Sequence, residues 1–150
     1  MPQVSSLYDQ DFYAWAMEQA ELLRAGKLSA ADIEHIAEEI ESMGRSEQQQ
    51  LESRLIVLLL HLLKWRFQPN LRGSSWRLTM KEQRSRIARH LRKNPSLQAV
   101  LDETIADAYG DAIIGAERET GLPDSTFPAV CEWSFEQIMA EDFWPENERH

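Results

Sequence analysis

Asp32, His35 and Glu39 stand three and four residues apart, with Glu38 adjacent. On a helix that spacing gathers carboxylates and an imidazole into one sector, which is metal-ligand chemistry. Carboxylate-bridged metal bundles use Glu-x-x-His on two helices plus inward glutamates from two more. Here the nearest match, Asp32-x-x-His35, occurs once, has no second copy and points away from the apolar stripe of its own segment. His61 and His90 fall on other segments, so a three-histidine site is conceivable in geometry but unsupported by spacing. The bland reading, solvated helix-face residues, is favoured. No metal, cofactor or catalytic residue is assigned, and the chain leans away from being an enzyme.

A broader signal is cationic. Arg77, Lys81, Arg84, Arg89, Arg92 and Lys93 fan over most of a helical segment whose apolar face is narrow: Trp76, Met80, Ile87 and Leu91. Such a face can neutralise phosphates, and those contacts drive sequence-independent affinity for nucleic acid. Ile87 to Leu91, followed by Pro95-Ser96-Leu97, faintly resembles a helix-turn-helix. However, Arg92 and Lys93 occupy the turn where glycine is often needed, and the helix that follows would present Asp102, Glu103 and Asp107 to a phosphate backbone. The same arginines could instead pair with acidic helices of their own bundle, each exposed pair contributing about 0–1 kcal/mol. Or they could meet an acidic protein surface.

The remaining reactive side chains offer less. His61 sits inside an apolar run but shares a stripe with Arg54 and Lys64, which reads as a solvent-facing seam. Cys131 has no cation nearby in sequence to lower its pKa, so packing is expected of it. No serine keeps a histidine and an acid in a recognisable motif, and no glycine-rich phosphate loop is present. Trp133, Phe135, Phe143 and Trp144 could anchor a partner, although completing the protein's own core is the preferred reading.

The elements that must position these residues are helical. Leu55 to Trp65, LIVLLLHLLKW, is the most apolar run and lies within a helical pattern over residues 47–67. Leu51, Leu55, Leu58 and Leu62 share one face, and Ile56, Leu63 and Phe67 another. A helix hydrophobic almost all round is buried or spans a membrane. A span needs about 20 apolar residues with few charges, whereas Arg54, His61, Lys64 and Arg66 interrupt or flank this run. A central helix of a soluble bundle is expected.

Before it, a first helix starts after Asp9 or Asp11 and ends at Gly26. A second, capped by Ser29, carries the stripe Ile33, Ile36, Ala37, Ile40 and Met43, with Glu34, Glu38 and Glu41 outward. Gly44 is expected to terminate it in the left-handed conformation, and Ser46 to cap the central helix. After Pro69, Ser74 or Ser75 is expected to cap the basic helix, which stops at Asn94-Pro95. A fifth helix runs from about Ser96 to Glu119, with Leu101, Ile105, Ala108, Tyr109, Ala112 and Ala116 inward. From Leu122 the texture changes to aromatics and prolines, and Ser134 with Gln137 marks one short helix by the capping-box pattern. No alternating strand pattern and no repeat occurs. The expectation is an all-α single domain, 1–150, with about five helices around residues 47–67. Its core covers about 8–121, and residues 122–144 form a C-terminal wrap.

The net charge of −9 over 150 residues conceals a segregation. Residues 1–53 balance to −8, residues 54–93 to +10 and residues 94–150 to −11, a basic middle between acidic arms. Cys131 is the single cysteine, which excludes an internal disulfide framework and a cysteine-based zinc site. Met1 to Ser6 lacks the basic and apolar regions of a signal peptide, and a cytoplasmic location without membrane contact is expected.

Several runs together are distinctive: IEHIAEEIESMGRSE, the LLLHLLKW that follows, Ser75-Trp76, Gln83-Arg84, and Asn94-Pro95-Ser96-Leu97. The opening from Tyr8 to Trp15 and the close through Phe127-Pro128, Cys131 and Trp133 fit with them. The chain resembles a bacterial family of helical proteins catalogued as domain of unknown function, family twenty-nine. The resemblance covers about Tyr8 to Phe143. It implies an all-helical fold and a bacterial source, and supplies no reaction, ligand or catalytic residue.

The expected function is therefore a non-enzymatic protein-interaction or regulatory module using the basic helix face and the acidic helices around it. The partner would be an acidic protein surface or a second copy of the chain. The face is assigned to Arg77, Lys81, Arg84, Arg89 and Arg92. The alternative is nucleic-acid binding through Arg77 to Lys93, and the third reading a metal-dependent helical-bundle enzyme.

Overall fold

The computed structural model describes residues 6–146, so the leader reading of Met1 to Ser6 falls almost wholly outside it. The described residues are all-α: α1 (Leu7–Gln10), α2 (Phe12–Arg24), α3 (Ile33–Phe67), α4 (Ser74–Lys93), α5 (Leu101–Thr120) and α6 (Phe135–Met139). Short 3-10 turns at Leu28–Ala30, Pro69–Leu71, Pro95–Val100 and Asp124–Thr126 link them. No strand occurs among the described residues. The chain divides into two compact units, 1–46 and 47–150, with the boundary inside α3.

The second expected helix and the central helix are one 35-residue helix. Gly44 does not terminate and Ser46 does not cap. The positive-φ glycines are Gly26 and Gly121, at 71° and 75°. A mid-helix glycine costs only about 1 kcal/mol against alanine, too little to stop a helix flanked by glutamates and glutamines. Glu41 and Arg45, four residues apart at 3.7 Å, also bridge the turn that contains Gly44. The start of α3 differs too. Ser29 lies in the preceding 3-10 turn, and Asp32 supplies the capping oxygen, with Oδ1 accepting from the His35 backbone N–H at 3.4 Å.

Within 47–150, the apolar run is buried as its periodicity requires. Leu51, Leu55, Leu58, Leu59, Leu62 and Leu63 are fully shielded, packed with Met80 and Ile87 of α4 and with Ile105, Ala108, Ala112 and Ala116 of α5. Small residues let α5 approach α3 closely. A Cβ built on Gly115 would lie 3.4 Å from a methyl of Leu60, so this glycine marks the approach rather than a break. α4 starts with Gly73 at its N-cap and no side-chain cap, correcting the expected serine. α5 begins at Leu101, because Pro95 to Val100 forms a 3-10 run.

The C-terminal wrap closes this unit. Phe127 meets Phe67 edge to face, ring centroids 5.2 Å apart. Trp144 lies on Trp65 at 4.7 Å, and Trp133 on Phe143 at 5.9 Å. The Tyr109 hydroxyl donates to the Pro128 carbonyl at 2.7 Å. Ser134 and Gln137 form the capping box that opens α6. These aromatics complete the unit's own core.

Within 1–46, Asp11 caps α2 by accepting from Ala14 N–H at 3.0 Å. Trp15 is the one large apolar side chain buried among the described residues here. The stripe expected on the second helix is present but uncovered: Ile33, Ile40 and Met43 are 53%, 63% and 67% exposed.

Candidate functional site

α4 places its narrow apolar face inward and most of its cations outward. Met80, Ile87 and Leu91 are buried, and Arg77, Lys81, Arg86, Arg89, Arg92 and Lys93 are exposed. The period of 3.6 residues settles this division, since the buried positions recur at three, four and seven. Of the exposed cations, Arg86 is held by Glu82 at 2.8 Å, one turn back on the same helix. Arg77, Lys81, Arg89, Arg92 and Lys93 have no carboxylate within 4.0 Å among the described residues. Acidic α5 does not neutralise them. The cations that do find carboxylates elsewhere in this unit lie outside α4: Lys64 with Glu119 at 2.9 Å, Arg66 with Glu132 at 3.3 Å and Arg72 with Glu146 at 3.5 Å.

Arg84, grouped on sequence with the partner-facing arginines, is turned inward and is 5% exposed. Its Nε donates to the Ile138 carbonyl at 2.8 Å and its Nη2 to the Phe143 carbonyl at 3.2 Å. Burial pulls its guanidinium below the ordinary arginine range, and the neighbouring Glu141 and Asp142 act the other way. Its position in the helical period explains the difference. Arg84 is four residues after Met80 and three before Ile87, on the buried face. It anchors the wrap.

Leu78 is the feature the charge pattern concealed. It is 64% exposed in the middle of the cationic surface. A large apolar residue directly after Arg77 on an otherwise polar arc was the available signal. On one side of it lies a groove of about 370 Å³ bounded by Arg77, Lys81, Glu141 and Trp144. On the other lies a shallower one of about 550 Å³ bounded by Lys81, Ser85, Arg86 and Arg89. Trp144, supplied by the wrap, floors the first. This surface sets guanidinium and ammonium groups around an exposed apolar side chain.

Asp32, His35 and Glu39 are partly exposed, as a solvated face requires, but each is also engaged by a hydrogen bond within one cluster. The Trp15 indole N–H and His35 Nδ1 both reach Asp32 Oδ2, at 3.1 and 2.7 Å. Gln19 Oε1 accepts from the Asp32 backbone N–H at 2.7 Å. The Tyr8 hydroxyl donates to Glu39, and the Tyr8 ring stacks on His35 at 4.0 Å. The hydrogen bond to Asp32 raises the His35 pKa, and the bond from His35 lowers that of Asp32. Glu39 pushes the Tyr8 hydroxyl up to about 12. The cluster ties α1 and α2 to the start of α3. Sequence reading missed it because Tyr8 and Glu39 are 31 residues apart.

His61 Nδ1 lies 2.8 Å from the Val57 carbonyl, and because a carbonyl only accepts, Nδ1 carries the proton. Burial lowers its pKa. Lys64, expected on a solvent-facing seam beside it, is buried against Trp76 at 4.7 Å. His90 Nε2 donates to the Glu47 carbonyl at 2.8 Å. No three His, Cys, Asp or Glu side chains gather as metal ligands among the described residues. The Cys131 thiol donates to the Trp133 carbonyl at 3.6 Å, and burial raises its pKa. No helix among the described residues is long and apolar enough to cross a membrane.

One family model, described as domain of unknown function DUF29, matches residues 7–144. No curated protein and no solved structure matches the chain.

Proposed function

We propose that this chain, which belongs to the DUF29 family, is a protein-interaction module whose α4 face receives an acidic partner. The observation that carries this reading is the pairing state of α4. Arg77, Lys81, Arg89, Arg92 and Lys93 are exposed and have no carboxylate within 4.0 Å among the described residues, although the chain is acidic overall. Exposed Leu78 and the Trp144-floored groove favour a protein segment over nucleic acid, because an apolar side chain flanked by carboxylates satisfies both parts of the face. The net charge of −9 also disfavours a polyanionic duplex at long range. The working residues are Arg77, Lys81, Leu78, Arg89 and Arg92, with Arg84 holding the groove's far wall. A bacterial cytoplasmic setting belongs to the same proposal, and the single cysteine fits it.

The test is fluorescence anisotropy of a labelled Glu- and Leu-containing peptide, run beside labelled single- and double-stranded DNA across a salt series. An Arg77→Glu/Lys81→Glu/Arg89→Glu variant is measured in parallel. Peptide binding that weakens with salt and disappears in the variant supports the reading. DNA binding tighter than peptide binding, with a steep salt slope, replaces it with nucleic-acid recognition. Absence of binding to any probe at low salt overturns it.

A further inference from the structure

We propose that the acidic partner of α4 is a second copy of this chain, contributed by the exposed face of α3 between Ile33 and Met43. The inference rests on the α4 reading above and names its occupant.

The unit 1–46 cannot cover its own apolar surface. Trp15 is its one buried large apolar side chain among the described residues, while Ile33, Ile40 and Met43 are each more than half exposed. Ile33, Ile36, Ile40 and Met43 recur at three, four and three residues, which makes one continuous stripe. One flank of that stripe is closed within the unit, because His35 and Glu39 are engaged by Asp32 and Tyr8. The other flank is open and acidic: Glu34, Glu38 and Glu41 are exposed along it. The surface is therefore apolar with a carboxylate border, a composition that decides which mate it accepts.

A second copy of the same stripe is a poor mate, since pairing it with itself brings two glutamate rows together, and like charges juxtaposed across an interface are costly. The α4 face is its complement. Leu78 stands 64% exposed between two grooves, with Arg77 and Lys81 at one and Arg89 at the other. Ile33 to Met43 spans about 15 Å along its helix and Arg77 to Arg89 about 18 Å, at 1.5 Å per residue. The apolar stripe meets Leu78 and the methylene stems of the arginines, which cover apolar surface while their heads stay polar. The glutamates meet the cations of α4 that have no carboxylate within 4.0 Å among the described residues. The contact is between unlike surfaces, so every copy carries both halves.

The test uses the full chain and two charge-reversed variants. In Glu34→Lys/Glu38→Lys the donor face is reversed; in Arg77→Glu/Lys81→Glu/Arg89→Glu the receiving face is. Sedimentation velocity over a concentration and salt series is expected to show self-association of the parent that weakens with salt. Each variant alone should associate about tenfold or more weakly, while an equimolar mixture of the two should recover association, because reversed α3 meets reversed α4. Misfolding of a variant cannot produce that recovery. A parent that stays monomeric yet binds the Glu-Leu peptide overturns the self-association and leaves the α4 reading standing. A monomeric parent that binds no peptide overturns both. Association unchanged in the α4 variant, or no recovery on mixing, overturns the pairing of these two faces.

Discussion

Arg84 and Ile138 are joined by a 2.8 Å hydrogen bond from a buried guanidinium to a main-chain carbonyl, 54 residues apart in sequence. With the second bond to Phe143, one cation of α4 holds the last turn of α6 and the chain just beyond it. The helix thus divides its cations between an internal anchor and an external face.

That division predicts unequal behaviour from two arginines of the same helix. Arg84→Met strands two carbonyls under the wrap and should cost about 2–4 kcal/mol of stability. Arg77→Met, on the exposed arc, should change stability by less than about 0.5 kcal/mol. Urea unfolding of the two variants measures both. Equal midpoints would remove the anchor assignment.

Two glycines should respond with opposite signs to alanine. Gly44 sits in the interior of α3 with nothing within 4 Å of a built Cβ. Gly44→Ala should therefore stabilise by about 0.5–1 kcal/mol. Gly121 holds φ at 75° to end α5. Gly121→Ala should destabilise by about 1 kcal/mol. Thermal melts of the pair report the signs directly.

His35 and His61 should titrate on opposite sides of the ordinary value of 6.5, His35 above it and His61 below. The raised value at His35 means its bond to Asp32 stabilises fully below pH 6.5 and fades as pH rises through the folded pKa. The lowered value at Asp32 means its share is present above pH 3.8 and is lost as pH falls through the folded pKa. His61 runs the other way: its neutral ring is favoured by burial, so its contribution is present above pH 6.5 and is lost on acidification. Proton NMR titration of the imidazole resonances, assigned with His35→Gln and His61→Gln, checks the order. A reversed order would contradict the environments described.

Lys64 and Glu119 supply a fourth case. Lys64 is buried and Glu119 about half exposed. Replacing both partners with apolar groups should be milder than deleting one. Glu119→Ala alone leaves the buried ammonium with only the Trp76 ring, and should cost about 1–2 kcal/mol. Lys64→Met/Glu119→Leu should recover most of that loss, read by a double-mutant cycle in urea.

Much of this molecule is legible in the chain itself. Leucines at three and four residues from Leu51 to Leu62 demand a buried helix, alanines and Tyr109 define the inner face of α5, and Ser134 with Gln137 announces α6. These features depend on neighbours within one or two turns, and helical periodicity acts at that range. The tertiary structure alone decided the rest. Helix continuation through Gly44 depended on a cost of about 1 kcal/mol being met by flanking turns. Whether an arginine on α4 is an anchor or a free cation depended on carbonyls more than fifty residues away. Tyr8 found Glu39, and Trp15 found Asp32, through the approach of separate helices. Which apolar stripes are covered was settled in the same way: the one around Leu58 is, and the one around Ile40 is not. Burial is a property of what arrives opposite a surface, and a local pattern can state the need for cover without supplying it.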